Sequence, residues 1–177
     1  MIDTILEKAL SGLDLSPEEG VMLLRAQPEE VEQIRQVSDR LRQIQSGETV
    51  TYVINRNINY TNICEQHCSF CAFRRDEGEE GAYWLDWAQI LAKATDAVDR
   101  GATEICMQGG LNPTAKIHGS SLRYYQTLID TIKSKFPQLH LHAFSPQEIE
   151  FIAREDGLTF AAAIAALRDA GVDSMPG

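Results

Sequence analysis

Apolar residues along the chain change period several times, and the changes mark its elements. After Pro28, the residues Val31, Ile34, Val37, Leu41 and Ile44 recur three or four positions apart, with Glu32, Gln33, Arg35 and Arg42 between them. That spacing predicts an amphipathic helix with one buried stripe, closed by Gly47. Upstream, Ser16-Pro17-Glu18-Glu19 carries the marks of a helix start: a serine cap, a proline in the first turn and a glutamate three residues on. Thr51–Ile54 is short, β-branched and aromatic, and predicts a first strand. Helices are then predicted over Trp84–Arg100 with Asp86 as cap, over Leu122–Phe136, after Ser145-Pro146-Gln147-Glu148, and over Thr159–Ala170. Strands are predicted over Glu104–Met107 and Leu139–Phe144, with Gly171–Met175 as the approach to a fourth. Strand alternating with helix at this spacing means right-handed βαβ units on a parallel sheet. The fold class is therefore α/β, with a helical cap over residues 1–47 and an α/β domain over 48–177.

Alternation within the strands separates two faces. Glu104, Cys106 and Gln108 fall on one side and Thr103, Ile105 and Met107 on the other. The apolar side suits the covering helices, which leaves the polar side facing away from them. His140, His142 and Phe144 share a face in the next strand, where two histidines could bind a polar substrate or move a proton, or serve as structural groups. Asn55, Asn57, Asn59 and Thr61 alternate in the same way. Orientation of a ligand and turn hydrogen bonding account for them equally well.

Composition narrows the setting. The chain has 177 residues, 44% of them hydrophobic, enough for one ordinary core. Its 26 acidic and 16 basic residues give a net charge of −10, which disfavours a nucleic-acid backbone as partner. The acidic N-terminus MIDTILEKAL does not resemble a secretion signal, and no apolar run approaches a membrane span. A reducing cytoplasm is the expected location.

The chemistry concentrates between Asn55 and Arg75. Cys64, Cys68 and Cys71 are separated by three and then two residues, so one loop can turn three thiols toward one point. Soft thiolates suit an iron-sulfur cluster, and three of them leave one iron open. A zinc site completed by His67 is an alternative, as is a disulfide framework, although three crowded cysteines make an awkward one. Cys106 lies within an apolar strand and reads as a small packed residue. Arg74 and Arg75 suit either a carboxylate or solvent, and Glu77 to Glu80 reads as a solvated acidic loop. After the second strand, Gln108-Gly109-Gly110 sits at the carboxyl end of a parallel strand, where α/β folds place functional loops; a plain turn is the simpler reading. Ser145 and Glu148 read as capping residues.

The C-x3-C-x2-C spacing, with Phe70 just before the third cysteine, resembles the signature of radical S-adenosylmethionine (SAM) enzymes. The phrases NRNINYTNIC, HCSFCAFRR, ATEICMQGGLNP and HLHAFSPQE are similar to the branch that contains FO synthase and the futalosine-pathway enzymes of menaquinone biosynthesis. The resemblance implies a partial (β/α)6 barrel with a 4Fe-4S cluster on Cys64, Cys68 and Cys71. It implies that SAM chelates the open iron, with Gln108, Gly109 and Gly110 at its amino group and Phe70 near its adenine. The motif is QGG and not the commoner GGE, so the resemblance carries no glutamate contact with it. Within the branch, HCSFCAFRR leans toward the FO synthase subunits that join L-tyrosine to 5-amino-6-(D-ribitylamino)uracil. Those work with a companion radical SAM subunit and a reductant such as ferredoxin or flavodoxin. The futalosine-cyclising enzyme is the rival, and a non-catalytic electron carrier or inactive fragment is a third reading. Barrels of this kind run to about 200 residues or more, so the chain reads as the N-terminal half of a longer enzyme.

Overall fold

The computed structural model describes residues 2–176. The chain divides into two compact units, Met1–Tyr52 and Val53–Gly177. The first is helical: α1 (Ile2–Leu10), α2 (Pro17–Leu24) and α3 (Pro28–Ser46). Ser16 caps α2 as its sequence dictates. Its hydroxyl accepts from the Glu19 amide at 3.2 Å while the Glu19 carboxylate accepts from the Ser16 amide at 2.7 Å. The same Glu19 pairs with Lys8 of α1 at 2.7 Å. Ile2, Ile5 and Leu6 are the buried residues of α1, which packs against α2 and α3. The stripe of α3 corrects the sequence reading. Ile34, Val37 and Leu41 are only half-buried, while Val31 and Ile44 are exposed. A stripe of this width needs a facing surface along its whole length, and within its own unit α3 packs, among the described residues, mainly against the short α1.

The second unit holds three βα repeats. Its elements are β1 (Asn55–Asn59), α4 (Trp87–Asp99), β2 (Glu104–Gln108), α5 (Ser121–Lys133), β3 (His140–Ala143), α6 (Pro146–Asp156) and α7 (Phe160–Ala170). All strands are parallel in the order β1-β2-β3. The strand expected over Thr51–Ile54 lies instead at Asn55–Asn59. Tyr52, Val53 and Ile54 are exposed coil, and only the Ile54 carbonyl joins the sheet, accepting from the Thr103 amide at 2.9 Å. Pairing decides the matter: Asn55 stands opposite Glu104 and Asn59 opposite Gln108. The helix-facing positions of β1 are Arg56, which reaches Asp96 of α4 at 3.1 Å, and fully buried Ile58. With one apolar residue in five, the strand lacks an apolar signature.

Helices cover one face of the sheet. Ile58, Ile105, Met107, Leu141 and Ala143 are buried there with Ile90 and Ala94 of α4, Tyr125, Leu128 and Ile129 of α5, and Phe151 and Ile152 of α6. Each large side chain so buried contributes roughly 1.5–3 kcal/mol against exposure. Asp86 and Ser145 cap as the sequence predicts, in capping boxes with Gln89 and Glu148, while Thr159, expected inside the last helix, stands just before it and caps α7. Gly157 and Gly171, in left-handed conformation, end α6 and α7. The opposite face carries Asn57, Glu104, Cys106, Gln108, His140 and His142, all half-buried or exposed. Phe144 leaves that face. It has a φ of 67° and turns into the core, where it is fully buried edge-on to Tyr60 and Tyr125. Beyond β3, Ser174 adds one parallel bridge to His142, the start of a fourth strand position.

Candidate functional site

The carboxyl ends of the three strands meet in one place. The cysteine loop leaves β1 through Tyr60 and Thr61, and its backbone is stitched to the loop after β2. The Gly110 amide donates to the Thr61 carbonyl, and the Glu65 amide to the Leu111 carbonyl, both at 2.9 Å. The far side of the loop is pinned by a parallel bridge between Ile63 and Arg75. Arg75 Nη1 also donates to the carbonyls of Ala72 and Arg74, at 3.1 and 2.7 Å. Arg74 pairs with Asp76, and that partner holds the Asp76 carboxyl below its ordinary range. The two arginines therefore brace the loop.

Two glycines let these loops come together. A Cβ on Gly109 would enter the Tyr60 ring, 2.5 Å from one of its carbons; one on Gly110 would press on the Ile63 carbonyl and lie 2.9 Å from the Cys64 Cβ. No side chain fits at either position without moving a buried ring or a backbone.

Beneath the glycines lies Glu148, 1% exposed. Its Oε1 accepts from the Tyr60 hydroxyl at 2.5 Å and from the Gly109 amide at 3.1 Å. Its Oε2 accepts from the amide and the hydroxyl of Ser145, each at 2.8 Å. One carboxylate thus ties the end of β1, the loop after β2 and the start of α6. Burial pushes its pKa up, and the donors Tyr60, Ser145 and Gly109 pull it partly back. Its role as a helix cap was legible in the sequence. The signal that could have revealed the rest was the conjunction of a tyrosine at the end of one strand with a glycine pair at the end of the next.

Above the glycines is a cavity of about 160 Å³ lined by Cys64, Cys68, Cys71, Phe70, Gly109 and Gly110, among others. Phe70 is 92% exposed at its rim. All four cysteines are free thiols, so no disulfide forms among the described residues. Nor do any three His, Cys, Asp or Glu side chains there converge on the position of a single metal ion. His67 stands outside the cavity lining, 3.4 Å from Arg74 Nη2. This arrangement suits a cluster better than zinc. A single zinc needs its ligands at one common distance, whereas a four-iron cluster presents separate irons that thiolates ligate from around its edge. Three thiols about one cavity, with a glycine wall no Cβ can enter, fit that larger group.

Gln108 ends β2 on the polar face, beside Asn59 in register. Cys106 stands between Asn57 and His142, and burial, with the Glu104 and Glu148 carboxylates nearby, pushes its thiol pKa up. His140 and His142 lie on the same face but do not line the cavity. They meet instead on a residue that strand alternation had not singled out. His140 Nε2 and His142 Nδ1 each lie 2.7 Å from the Ser174 hydroxyl.

Comparison with known proteins agrees with this geometry. The chain is 70% identical over 177 residues to a 5-amino-6-(D-ribitylamino)uracil--L-tyrosine 4-hydroxyphenyl transferase of Nostoc punctiforme, with 99% of this chain and 47% of that protein covered. It is 61% identical to the protein of the same name from Synechocystis, covering 100% of this chain and 45% of the relative. The chain spans about half the length of the curated relatives it matches. Among solved structures, the [FeFe]-hydrogenase maturase HydG from Carboxydothermus hydrogenoformans superposes with a TM-score of 0.63 at 19% identity, covering 98% of this chain and 47% of that one. Methylornithine synthase superposes with a TM-score of 0.60 at 16% identity, over 95% and 56% of the two chains. Those likenesses establish the fold, a partial TIM-like α/β barrel. The Radical SAM superfamily model matches residues 58–176, from β1 through the cysteine loop and the glycine pair to the start of a fourth strand position. The chain belongs to the radical SAM superfamily, whose members use a 4Fe-4S cluster and SAM.

Proposed function

We propose that this chain forms the cluster-and-SAM half of a transferase that joins the 4-hydroxybenzyl group of L-tyrosine to 5-amino-6-(D-ribitylamino)uracil. The single observation that carries the proposal is the cavity where three cysteines face a glycine pair at the strand ends. The substrates follow from the names of relatives at 61–70% identity. Cys64, Cys68 and Cys71 hold the cluster. Gly109 and Gly110, with Gln108 before them, offer backbone to SAM, and Phe70 covers the adenine at the rim. His140 and His142 hold or move a proton on the polar face. When bound, the cluster supplies an electron that cleaves SAM to a carbon radical able to take hydrogen from tyrosine. The chain's own work is to fix distances and exclude water. Glu148 keeps the glycine loop at a set height above Tyr60, and Arg75 keeps the cysteine loop closed. A companion radical SAM subunit that completes the deazaflavin, a ferredoxin or flavodoxin reductant, and a reducing cytoplasm complete the proposal.

Anaerobic reconstitution tests the first half of it. About four irons per chain and an EPR signal that SAM shifts are expected. Cys64→Ala, Cys68→Ala or Cys71→Ala should each abolish the cluster, and Cys106→Ala should spare it. Tight zinc in place of iron, or iron retained by all three variants, defeats the reading. The substrates are tested by supplying tyrosine, the aminouracil, SAM and dithionite to the reconstituted chain, together with the part of the Nostoc relative that it does not span. An adduct detected by mass spectrometry supports the transferase; turnover of dehypoxanthine futalosine alone assigns the chain to the rival branch.

A further inference from the structure

Ser174 sits between two imidazoles, and its backbone is fixed there. Its carbonyl accepts from the Ala143 amide at 2.8 Å and its amide donates to the Leu141 carbonyl at 3.2 Å, so its hydroxyl is held against β3. His140 Nε2 and His142 Nδ1 each approach that hydroxyl to 2.7 Å, and neither ring has another hydrogen-bond partner among the described residues. A hydroxyl carries one hydrogen and two lone pairs. With no third partner among those residues, its hydrogen goes to one ring and it accepts the N–H of the other. The nitrogens involved are of opposite kind, Nε2 on one ring and Nδ1 on the other, so the two tautomers are linked. If His142 donates from Nδ1, His140 accepts at Nε2 and carries its own hydrogen on Nδ1. If His140 donates from Nε2, His142 accepts at Nδ1 and carries its hydrogen on Nε2. In both cases the two rings share one tautomer.

We propose that His142, Ser174 and His140 form a proton relay along the polar face of the sheet. A proton arriving at His142 Nε2 makes an N–H there. The Nδ1 hydrogen of that ring moves to the Ser174 oxygen, the former hydroxyl hydrogen moves to His140 Nε2, and the hydrogen on His140 Nδ1 leaves. Only N–H and O–H bonds form and break, one proton enters and one leaves, and the relay ends uncharged in the other linked tautomer. His142 is the member nearer the strand ends and the cysteine cavity. His140 lies two residues deeper, beside Glu104 in register. The proton would come from an ionisable N–H or O–H of a substrate held over the strand ends. In that respect the relay rests on the function proposed above.

The test uses the full chain without cluster, labelled with ¹⁵N in its four histidines. Long-range ¹⁵N–¹H correlation at about pH 8 reads which ring nitrogen carries the hydrogen. His67→Gln and His118→Gln assign the other two signals. The expected result is one shared tautomer for His140 and His142, lost in both rings in Ser174→Ala and restored in Ser174→Thr, which keeps the hydroxyl. A His140 hydrogen on Nε2 together with a His142 hydrogen on Nδ1 in the native chain overturns the relay. So does a Ser174→Ala spectrum in which neither ring changes, or loss of the pattern in both variants while backbone amide spectra stay native. No cluster takes part, so a failed relay is distinguished from a failed cofactor site, which iron content reports separately.

Discussion

Tyr60→Phe isolates the contact that holds the three strand ends together. The ring stays, packed edge-on to Tyr125 and Phe144 with centroids 5.9 and 6.4 Å away. What goes is the 2.5 Å hydrogen bond to Glu148 Oε1. A hydrogen bond to a charged group is worth about 1.5–3 kcal/mol net. At 1% exposure the carboxylate has little access to replacement water, and three donors remain from Gly109 and Ser145. A loss of about 2 kcal/mol is expected, roughly 30-fold in the folding equilibrium. Both tryptophans of the chain, Trp84 and Trp87, lie in the second unit, so their fluorescence in a urea titration reports on that unit alone. With a slope of about 2 kcal/mol/M, the midpoint should fall by about 1 M at unchanged slope.

The same contact has a pH signature. Burial raises the folded pKa of Glu148 above the ordinary glutamate value of 4.5. A carboxyl shifted upward contributes stability that is fully present below about 4.5 and is lost as pH rises through the folded pKa. The Tyr60 hydroxyl favours the ionised form, so Tyr60→Phe raises that pKa further. Its penalty should be largest at neutral pH and shrink in acid. A midpoint shift worth less than about 0.5 kcal/mol, or a penalty that does not change with pH, would refute the account of Glu148 as the tie between strands.

Other outcomes follow from the same geometry. Gly110→Ala forces a Cβ onto the Ile63 carbonyl and the Cys64 Cβ; it should cost on the order of 1–3 kcal/mol and sharply reduce iron incorporation. Gly20→Ala, where nothing lies within 4 Å of the added carbon, should leave iron content unchanged; equal iron in both variants contradicts the close approach of the loops.

The sequence carried the helices and their stops because caps and glycines act locally: Ser16, Asp86 and Ser145 each meet the amide that the spacing foretells. It carried the two faces of β2 and β3 because alternation there follows burial. It misplaced β1 because a strand is defined by its partner, and here the apolar run before Asn55 has none. Phe144 broke alternation through a left-handed backbone that no neighbouring residue announces. Tyr60 and Ser174 were missed for one reason. Each acts on residues 88 and 34 or fewer positions away, and contacts at such range leave no periodicity to read.

The parallel order of the sheet governs how the site comes into being. Asn55 and Glu104 are 49 residues apart, and no tight turn can join parallel neighbours, so the first rung forms only after a long loop has closed. Helices α5, α6 and α7 sit close along the chain and can gather earlier. The cysteine loop, by contrast, is stitched to the segment after β2, and its shape therefore depends on one of the last contacts to form. Insertion of a cluster into this protein is thus expected late in maturation. Delivery to the nascent chain before β1 and β2 have paired would meet three thiols on a flexible tether, open to adventitious metals and to oxidation.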